Sequence, residues 1–456
     1  MRRLVLSLSL LIGACAPMAP ESVSRAAGAA TVAPEVSPPL ASRFGAPDPV
    51  PPQASNAQIA RDVIDLAFSL ESGRALPIFT RFEGPVTLRV AGKAPASLGP
   101  DLDRLLRRLR EEAGIDISEV QKGEANITLV PVPREKIRKQ LPQAACFVIP
   151  GVSSWNDYRR AQNAGEASWT EVRERETAAV FLPADAAPQE IRDCLHEEIA
   201  QALGPLNDLY RLGESVFNDD NVHTVLSGYD MLVLRAFYDP ALRSGMGREE
   251  VAAALPGILA RLNPAGESVP DRRLAPTPRA WIEAIQTALG TSEPLPQRRA
   301  AAEEALRLAR AEGWTDHRLG FSHFALGRLL VSEEAAQAET QFRAALRIFS
   351  ALPDARLHEA YAAAQLAALA LRTGHPEEAL ALTAPHEAAA RRHENAALLA
   401  SLMTLRAEAL DALGRPTEAA AVRLDSLGWA RYGFGPDWNG AAQMRRLAAL
   451  DPAQGS

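Results

Sequence analysis

One segment of the 456-residue chain has residue types and spacing suited to catalysis, and it runs from Cys194 to Asp208. Within it, His196 and Glu197 match the start of the H-E-x-x-H zinc helix. In that helix two histidines on one face bind the metal, and the glutamate activates water. Position 200 is alanine, so the second histidine is missing in this register. An intact zinc helix is therefore not present.

A shift of one residue gives a better alignment, because the segment then resembles the longer metzincin motif, H-E-x-x-H-x-x-G-x-x-H. The resemblance places Glu198 at the position of the general base and Gly204 at the glycine. The three metal-ligand positions hold no histidine; they are occupied by Glu197, Gln201 and Asn207. The resemblance implies a degenerate metzincin-like site with Glu198 as its catalytic candidate.

Downstream residues extend the same resemblance. The stretch 215–218 lies where metzincins place the turn whose methionine forms the floor of the site, with Phe217 in place of the methionine. The stretch 224–238 resembles their C-terminal helix. The further polar side chains predicted near the site are His196, Asp208, Asn218 and Asp219.

Residues 59–255 also resemble a closer group, the bacterial domain-of-unknown-function family 2927. Three stretches carry this resemblance, and they are residues 194–204, 215–219 and 229–235. Membership would supply no function, because none is assigned to that family.

The donor set of the candidate site is unusual for a transition metal. Zinc prefers imidazole and thiolate ligands, whereas a Glu-Gln-Asn set suits a hard cation weakly. An alternative zinc site would use His196 and His223 with Glu198 or Asp219. No cofactor is predicted, and a divalent cation is left open.

Three interpretations of this segment are open. In the favoured one the site is structural, and Glu197 and Gln201 hydrogen-bond to each other or to Asn207 and Asp208. In the second the domain is a hydrolase of peptide or cell-wall material with Glu198 as its base. In the third the cleft of the degenerate site is a binding site for a peptide, a glycan or a cation.

Periodicity predicts an α+β domain over residues 57–263 around this segment. Alternating or β-branched runs predict strands at 86–90, 127–130, 146–149 and 178–182. Apolar spacing and stop signals predict helices from 102 to about 114, from 188 to 203 and from 229 to 238.

The second half of the chain lacks strand signals and is predicted to be all-helical. Residues 264–298 are rich in proline and predict a linker with a short helix at 279–289, and residues 299–432 are predicted to be helical throughout. Gly374 and Gly414 open similar Gly-x-Pro stretches forty residues apart, which resembles tetratricopeptide repeats. A generic helical bundle is the alternative, and residues 433–456 form a C-terminal tail. Such repeats predict a concave surface for an envelope protein or peptide.

The N-terminus predicts export. Residues 1–15 combine two arginines, a short apolar run and small residues before Cys15, which resembles the lipobox of bacterial lipoproteins; an ordinary signal peptide is the alternative. Residues 16–56 are rich in proline and alanine and predict a disordered tether. Ala16 after the lipidated cysteine favours the periplasmic face of the outer membrane.

Charge and cysteine content narrow the function classes. A net charge of −7 argues against a nucleic-acid partner. Of the three cysteines, Cys146 and Cys194 remain after lipidation of Cys15. In an oxidising compartment this pair predicts a disulfide, and two buried thiols are the alternative.

Overall fold

The computed structural model describes residues 23–26, 44–45, 49–435 and 438. The predicted signal peptide with Cys15, most of the predicted tether and most of the C-terminal tail lie outside the described residues. No helix in these ranges combines the length and the apolar composition that crossing a bilayer requires.

The first domain is built on a mixed sheet of six strands in the order β1-β5-β6-β4-β2-β3. Strands β3, β2, β4 and β6 are parallel, and β5 and β1 continue the sheet in antiparallel pairing. The strands are β1 (Val23–Ala26), β2 (Val86–Val90), β3 (Ile117–Glu119), β4 (Ile127–Val132), β5 (Ala144–Pro150) and β6 (Ala178–Pro183).

Seven helices belong to this domain and cover both faces of the sheet. They are α1 (Asn56–Ala67), α2 (Leu98–Glu111), α3 (Arg134–Gln140), α4 (Trp155–Ala164), α5 (Pro188–Leu203), α6 (Gly228–Phe237) and α7 (Arg248–Leu262). Because helices cover both faces, the central strands β5 and β6 are buried along their whole length.

The four predicted strands and the three predicted helices of this domain are confirmed. The class differs from the prediction in one respect: up to β6 a helix separates all successive strands except β3 and β4, and four of the strands are parallel, so the domain is α/β rather than α+β. Parallel neighbours such as β2 and β4 require crossover connections, and the helices between the strands supply them.

From residue 279 to residue 434 the structure is mostly helical, as predicted. The helices of this region are α8 (Arg279–Leu289), α9 (Leu295–Ala311), α10 (His317–Leu330), α11 (Ala335–Ser350), α12 (Arg356–Arg372), α13 (Pro376–Thr383), α14 (Glu387–Arg392), α15 (Ala396–Ala412) and α16 (Pro416–Phe434). Successive helices pack in pairs, and α12 also contacts both α10 and α15. The helix predicted within the linker, α8, packs into this region, because its Trp281 is fully buried there.

The helical region meets the α/β domain along one edge. The N-terminal ends of four helices, α8, α10, α12 and α15, make part of this interface, and α16 also packs against α5. The contacts of the four helix ends are Trp281 against the Tyr210 ring at 5.0 Å, His317 Nε2 with the Tyr210 carbonyl at 2.7 Å, His358 Nε2 with Asp220 at 2.8 Å and the Ala397 amide with Gln189 at 2.8 Å.

Part of the predicted tether also packs on the fold. The Phe44 ring lies 4.9 Å from the ring of Trp429 in α16. The carbonyl oxygen of Val50 lies so close to Gly228 that a Cβ at that glycine would be 2.1 Å from it. These described residues of the segment are therefore ordered against both parts of the chain.

Candidate functional site

Helix α5 carries the candidate motif and is buried along nearly all of its length. It begins with Pro188, a residue whose fixed φ suits the first turn of a helix. A disulfide between Cys194 and Cys146 ties the helix to β5, with the two Cα atoms 6.0 Å apart. The predicted disulfide is thus confirmed.

The C-terminal end of α5 is held by a buried arginine that the sequence analysis did not identify. Arg175 donates hydrogen bonds to the carbonyls of Gln201 (2.7 Å), Ala202 (2.7 Å) and Gly204 (2.6 Å). The last carbonyls of a helix have no partner within the helix, so the guanidinium satisfies them and complements the helix dipole. Burial lowers the pKa of Arg175 to about 10, which leaves it charged at neutral pH.

Gly204 ends α5 and packs against the end of α6. A Cβ at this position would lie 2.4 Å from Cδ1 of Phe237. The φ of Gly204 is 179°, which is extended backbone that any residue adopts. The glycine is therefore needed for the close approach of two elements and not for its backbone freedom.

We expect Gly204→Ala to lower the free energy of unfolding by about 1–3 kcal/mol, because the methyl group must displace the Phe237 ring. Urea unfolding followed by circular dichroism measures the change. Gly84→Ala is a matched control, since a Cβ at Gly84 meets nothing within 4 Å. If Gly204→Ala unfolds at the same urea concentration as Gly84→Ala, the packing of Phe237 against residue 204 does not require a glycine there.

The three degenerate ligand positions have different environments. Asn207 donates a hydrogen bond from its amide to the carbonyl of Asp65 in α1 at 3.0 Å. Gln201 is fully buried, and both its amide atoms lack a hydrogen-bond partner among the described residues. The hydrogen bond expected between Glu197 and Gln201 is therefore not formed. Glu198 at the base position is also fully buried.

Acidic side chains lie close together beside these positions. Burial, followed by repulsion from Glu71, Glu197 and Asp219, raises the pKa of Asp208 well above its usual range. Asp219 accepts a hydrogen bond from the Tyr210 hydroxyl at 2.9 Å. The structure thus brings together three residues that the sequence analysis predicted near the site, Glu197, Asp208 and Asp219. It adds Glu71, which the motif could not indicate because this residue precedes the motif by more than a hundred residues.

The loop after α5 is held by its own hydrogen bonds. The Asn218 amide donates to the Leu212 carbonyl at 2.7 Å and to Asp220 at 2.9 Å. The carboxylate of Asp230 accepts from the backbone amides of Val216 at 3.2 Å and Ser227 at 2.8 Å. Asn218 therefore has a structural role in this loop.

The two histidines of the alternative zinc site have separate partners. His196 accepts a hydrogen bond at Nδ1 from the Leu226 amide at 3.2 Å. The His223 ring packs against two histidines of the helical region, with ring centroids 4.9 Å from His393 and 5.8 Å from His358. Within the part of the chain that the structure describes, no group of three or more His, Cys, Asp or Glu side chains is arranged to hold a metal ion.

Comparison with known proteins identifies only part of the chain. No curated protein matches it. Residues 56–257 match a family model described as protein of unknown function (DUF2927). This range begins at the first residue of α1 and ends within α7, so it covers the α/β domain except β1 and the end of α7, and none of the helical region. The match supports the assignment of the α/β domain to this family of unknown function.

Proposed function

We propose that this chain is a non-catalytic binding protein of the cell envelope. In this proposal a degenerate metzincin-like domain supports an array of tetratricopeptide-like repeats, and the array binds an envelope protein or peptide. Cys15 carries the lipid that anchors the chain to the membrane, at the periplasmic face of the outer membrane.

The observation that carries the proposal is the burial of α5 and of its motif residues. Arg192 of α5 donates a hydrogen bond to the Glu394 carbonyl at 2.7 Å, and Gln189 contacts the start of α15. An active metalloprotease keeps a coordination position open to water and substrate. Here the helical region contacts the N-terminal half of α5, Glu198 and Gln201 are fully buried, and Gln201 and Asn207 offer neutral amides, which are poor ligands for zinc.

The repeat assignment is supported by the turns between paired helices. Gly374 and Gly414 separate α12 from α13 and α15 from α16, with φ of 79° and 72°. Glycine reaches this left-handed region at no steric cost, so it ends a helix efficiently. Pro376 and Pro416 then begin the next helix in each case. Equivalent turns forty residues apart are the expected signature of stacked helical pairs.

A hydrolase with Glu198 as general base is the second candidate. It is favoured by the acidic side chains beside α5, since a carboxyl group with a raised pKa, such as that of Asp208, keeps its proton to a higher pH than a free carboxyl group and can act as a general acid. The complete burial of Glu198 argues against it, because a general base must reach the water that it activates.

Metal content and peptide cleavage together separate the two candidates. We expect the purified chain, incubated with zinc and desalted, to retain far less than one equivalent of metal. We also expect the purified chain to cleave unstructured peptides only at background rate, and the Glu198→Gln variant to show the same background rate. The unfolding midpoint of the variant serves as the control for folding. Stoichiometric zinc, together with cleavage that Glu198→Gln abolishes, would establish the hydrolase instead.

A further inference from the structure

A cavity of about 410 Å³ lies between the α/β domain and the helical region. The α/β domain contributes Glu214 and His223 to its wall, and the helical region contributes residues before α12 and around α14, among them Asp354, Arg392 and His393. Its volume falls in the range of small-molecule sites, roughly 300–1,000 Å³. None of the residues of the metzincin-like motif lines it.

Two carboxyl groups face this cavity without a compensating cation. Neither Glu214 nor Asp354 forms an ion pair with a residue that the structure describes, and Oδ1 of Asp354 is buried with no hydrogen-bond partner there. Burial, with repulsion from Asp354 and Asp230, raises the pKa of Glu214 to about 7. A half-buried carboxyl group that is repelled by a second one on the same wall favours a cationic partner.

His223 gives an independent indication of a ligand. The side chain is 5% exposed, and its Nε2 is buried with no hydrogen-bond partner in the described part of the chain. Burial and the neighbouring histidines hold the pKa of His223 well below its usual range, so the ring is neutral. A buried polar atom without a partner costs roughly 1–3 kcal/mol, which a ligand able to hydrogen-bond to it would recover.

The two arginines of the cavity wall differ in whether their charge is already paired. Arg356 pairs with Glu359 at 2.9 Å, so these two charges neutralise each other. Arg392 is exposed and forms no hydrogen bond or ion pair with any described residue. The wall therefore presents two carboxyl groups against one available guanidinium. This balance suits a small molecule that carries both an ammonium and a carboxylate.

We propose that this interdomain cavity binds an amino acid or a short peptide. The ligand's ammonium lies between Glu214 and Asp354, its carboxylate lies at Arg392, and a polar group of its backbone hydrogen-bonds to His223. The site is separate from the α5 motif and goes beyond the proposed function, which places a partner on the repeat array. It stands or falls independently of whether α5 is catalytic.

Isothermal titration calorimetry on the purified full chain tests the site with three probes: L-alanyl-L-alanine, its N-acetyl derivative and its C-terminal amide. We expect the dipeptide to bind and acetylation to weaken binding at least about tenfold, because it removes the ammonium. The C-terminal amide should bind more weakly than the free dipeptide. Equal affinity for the acetylated probe, or no binding of the dipeptide at millimolar concentration, would overturn the proposal.

Variants identify the site itself. Glu214→Gln and Asp354→Asn should each weaken dipeptide binding at least about tenfold, whereas Asp425→Asn, at an exposed position on α16 away from the cavity, should leave it unchanged. Affinity should rise between about pH 6 and 7, because Glu214, with a pKa of about 7, begins to ionise there while the probe's ammonium remains mostly protonated. Glu214→Gln should remove this rise. Unchanged affinity in both cavity variants, with the unfolding midpoint preserved, would place the dipeptide elsewhere.

Discussion

Replacing Arg175 with methionine should lower the free energy of unfolding by about 3–5 kcal/mol. The side chain donates to three carbonyls at the end of α5 and, through Nε, to the hydroxyl of Thr80 at 3.2 Å. Methionine has a similar volume but donates nothing, so these carbonyls would be left buried without their partner. Hydrogen bonds from charged donors are the stronger class, and losing several at one buried site is costly.

Urea unfolding of Arg175→Met, followed by circular dichroism, measures this loss. Arg173→Met is the matched control, because Arg173 is exposed two residues earlier and should change stability by no more than about 0.5 kcal/mol. Arg175→Lys should recover only part of the loss, since a single ammonium cannot reproduce the planar set of donors. If Arg175→Met and Arg173→Met unfold at the same urea concentration, the guanidinium does not hold the end of α5.

The second large effect is expected from the disulfide. Cys146 and Cys194 are separated by 48 residues, and closing a loop of that length in the unfolded chain stabilises the fold by about 4 kcal/mol in the chain-entropy treatment. Both cysteines are fully buried, so the Cys146→Ala, Cys194→Ala double variant should lose about that amount without burying a new polar group.

Thiol counting provides a direct check. The Cys15→Ser chain, denatured without reductant, should show no reactive thiol, and it should show two after reduction. Adding reductant should lower the free energy of unfolding of the Cys15→Ser chain. It should not change that of the triple variant Cys15→Ser, Cys146→Ala, Cys194→Ala. Two reactive thiols before reduction would show that the pair is not oxidised in the purified protein.

The candidate helix was the most predictable part of the fold. Pro188 and Gly204 mark its ends in the sequence, and α5 has the predicted bounds. Strand β3 escaped prediction because it has three residues, of which only Ile117 is buried, so no alternation is visible. Helices α3 and α4 escaped because they are short and mostly polar. Without them, the alternation that defines an α/β domain could not be recognised.

The site was less predictable than the helix that carries it. Local spacing placed Glu197, Gln201 and Asn207 in one motif, but their environments depend on distant segments: Asn207 bonds to α1, and the acidic side chains beside Glu197 include Glu71. The interdomain cavity had no sequence signal at all. Glu214 and Asp354 are far apart in the chain, and only the docking of the helical region onto the α/β domain brings them to one wall.

The edge contact between the two regions also has a mechanical consequence. In an array of stacked helical pairs each pair contacts only its neighbours, so small rotations between pairs add up to the curvature of the stack. Here four helices spread along the array are fastened by their N-terminal ends to one sheet-based domain. The array therefore cannot stretch or twist without breaking those attachments. If the array binds a partner as proposed above, we expect that partner to lose little affinity to reshaping the surface.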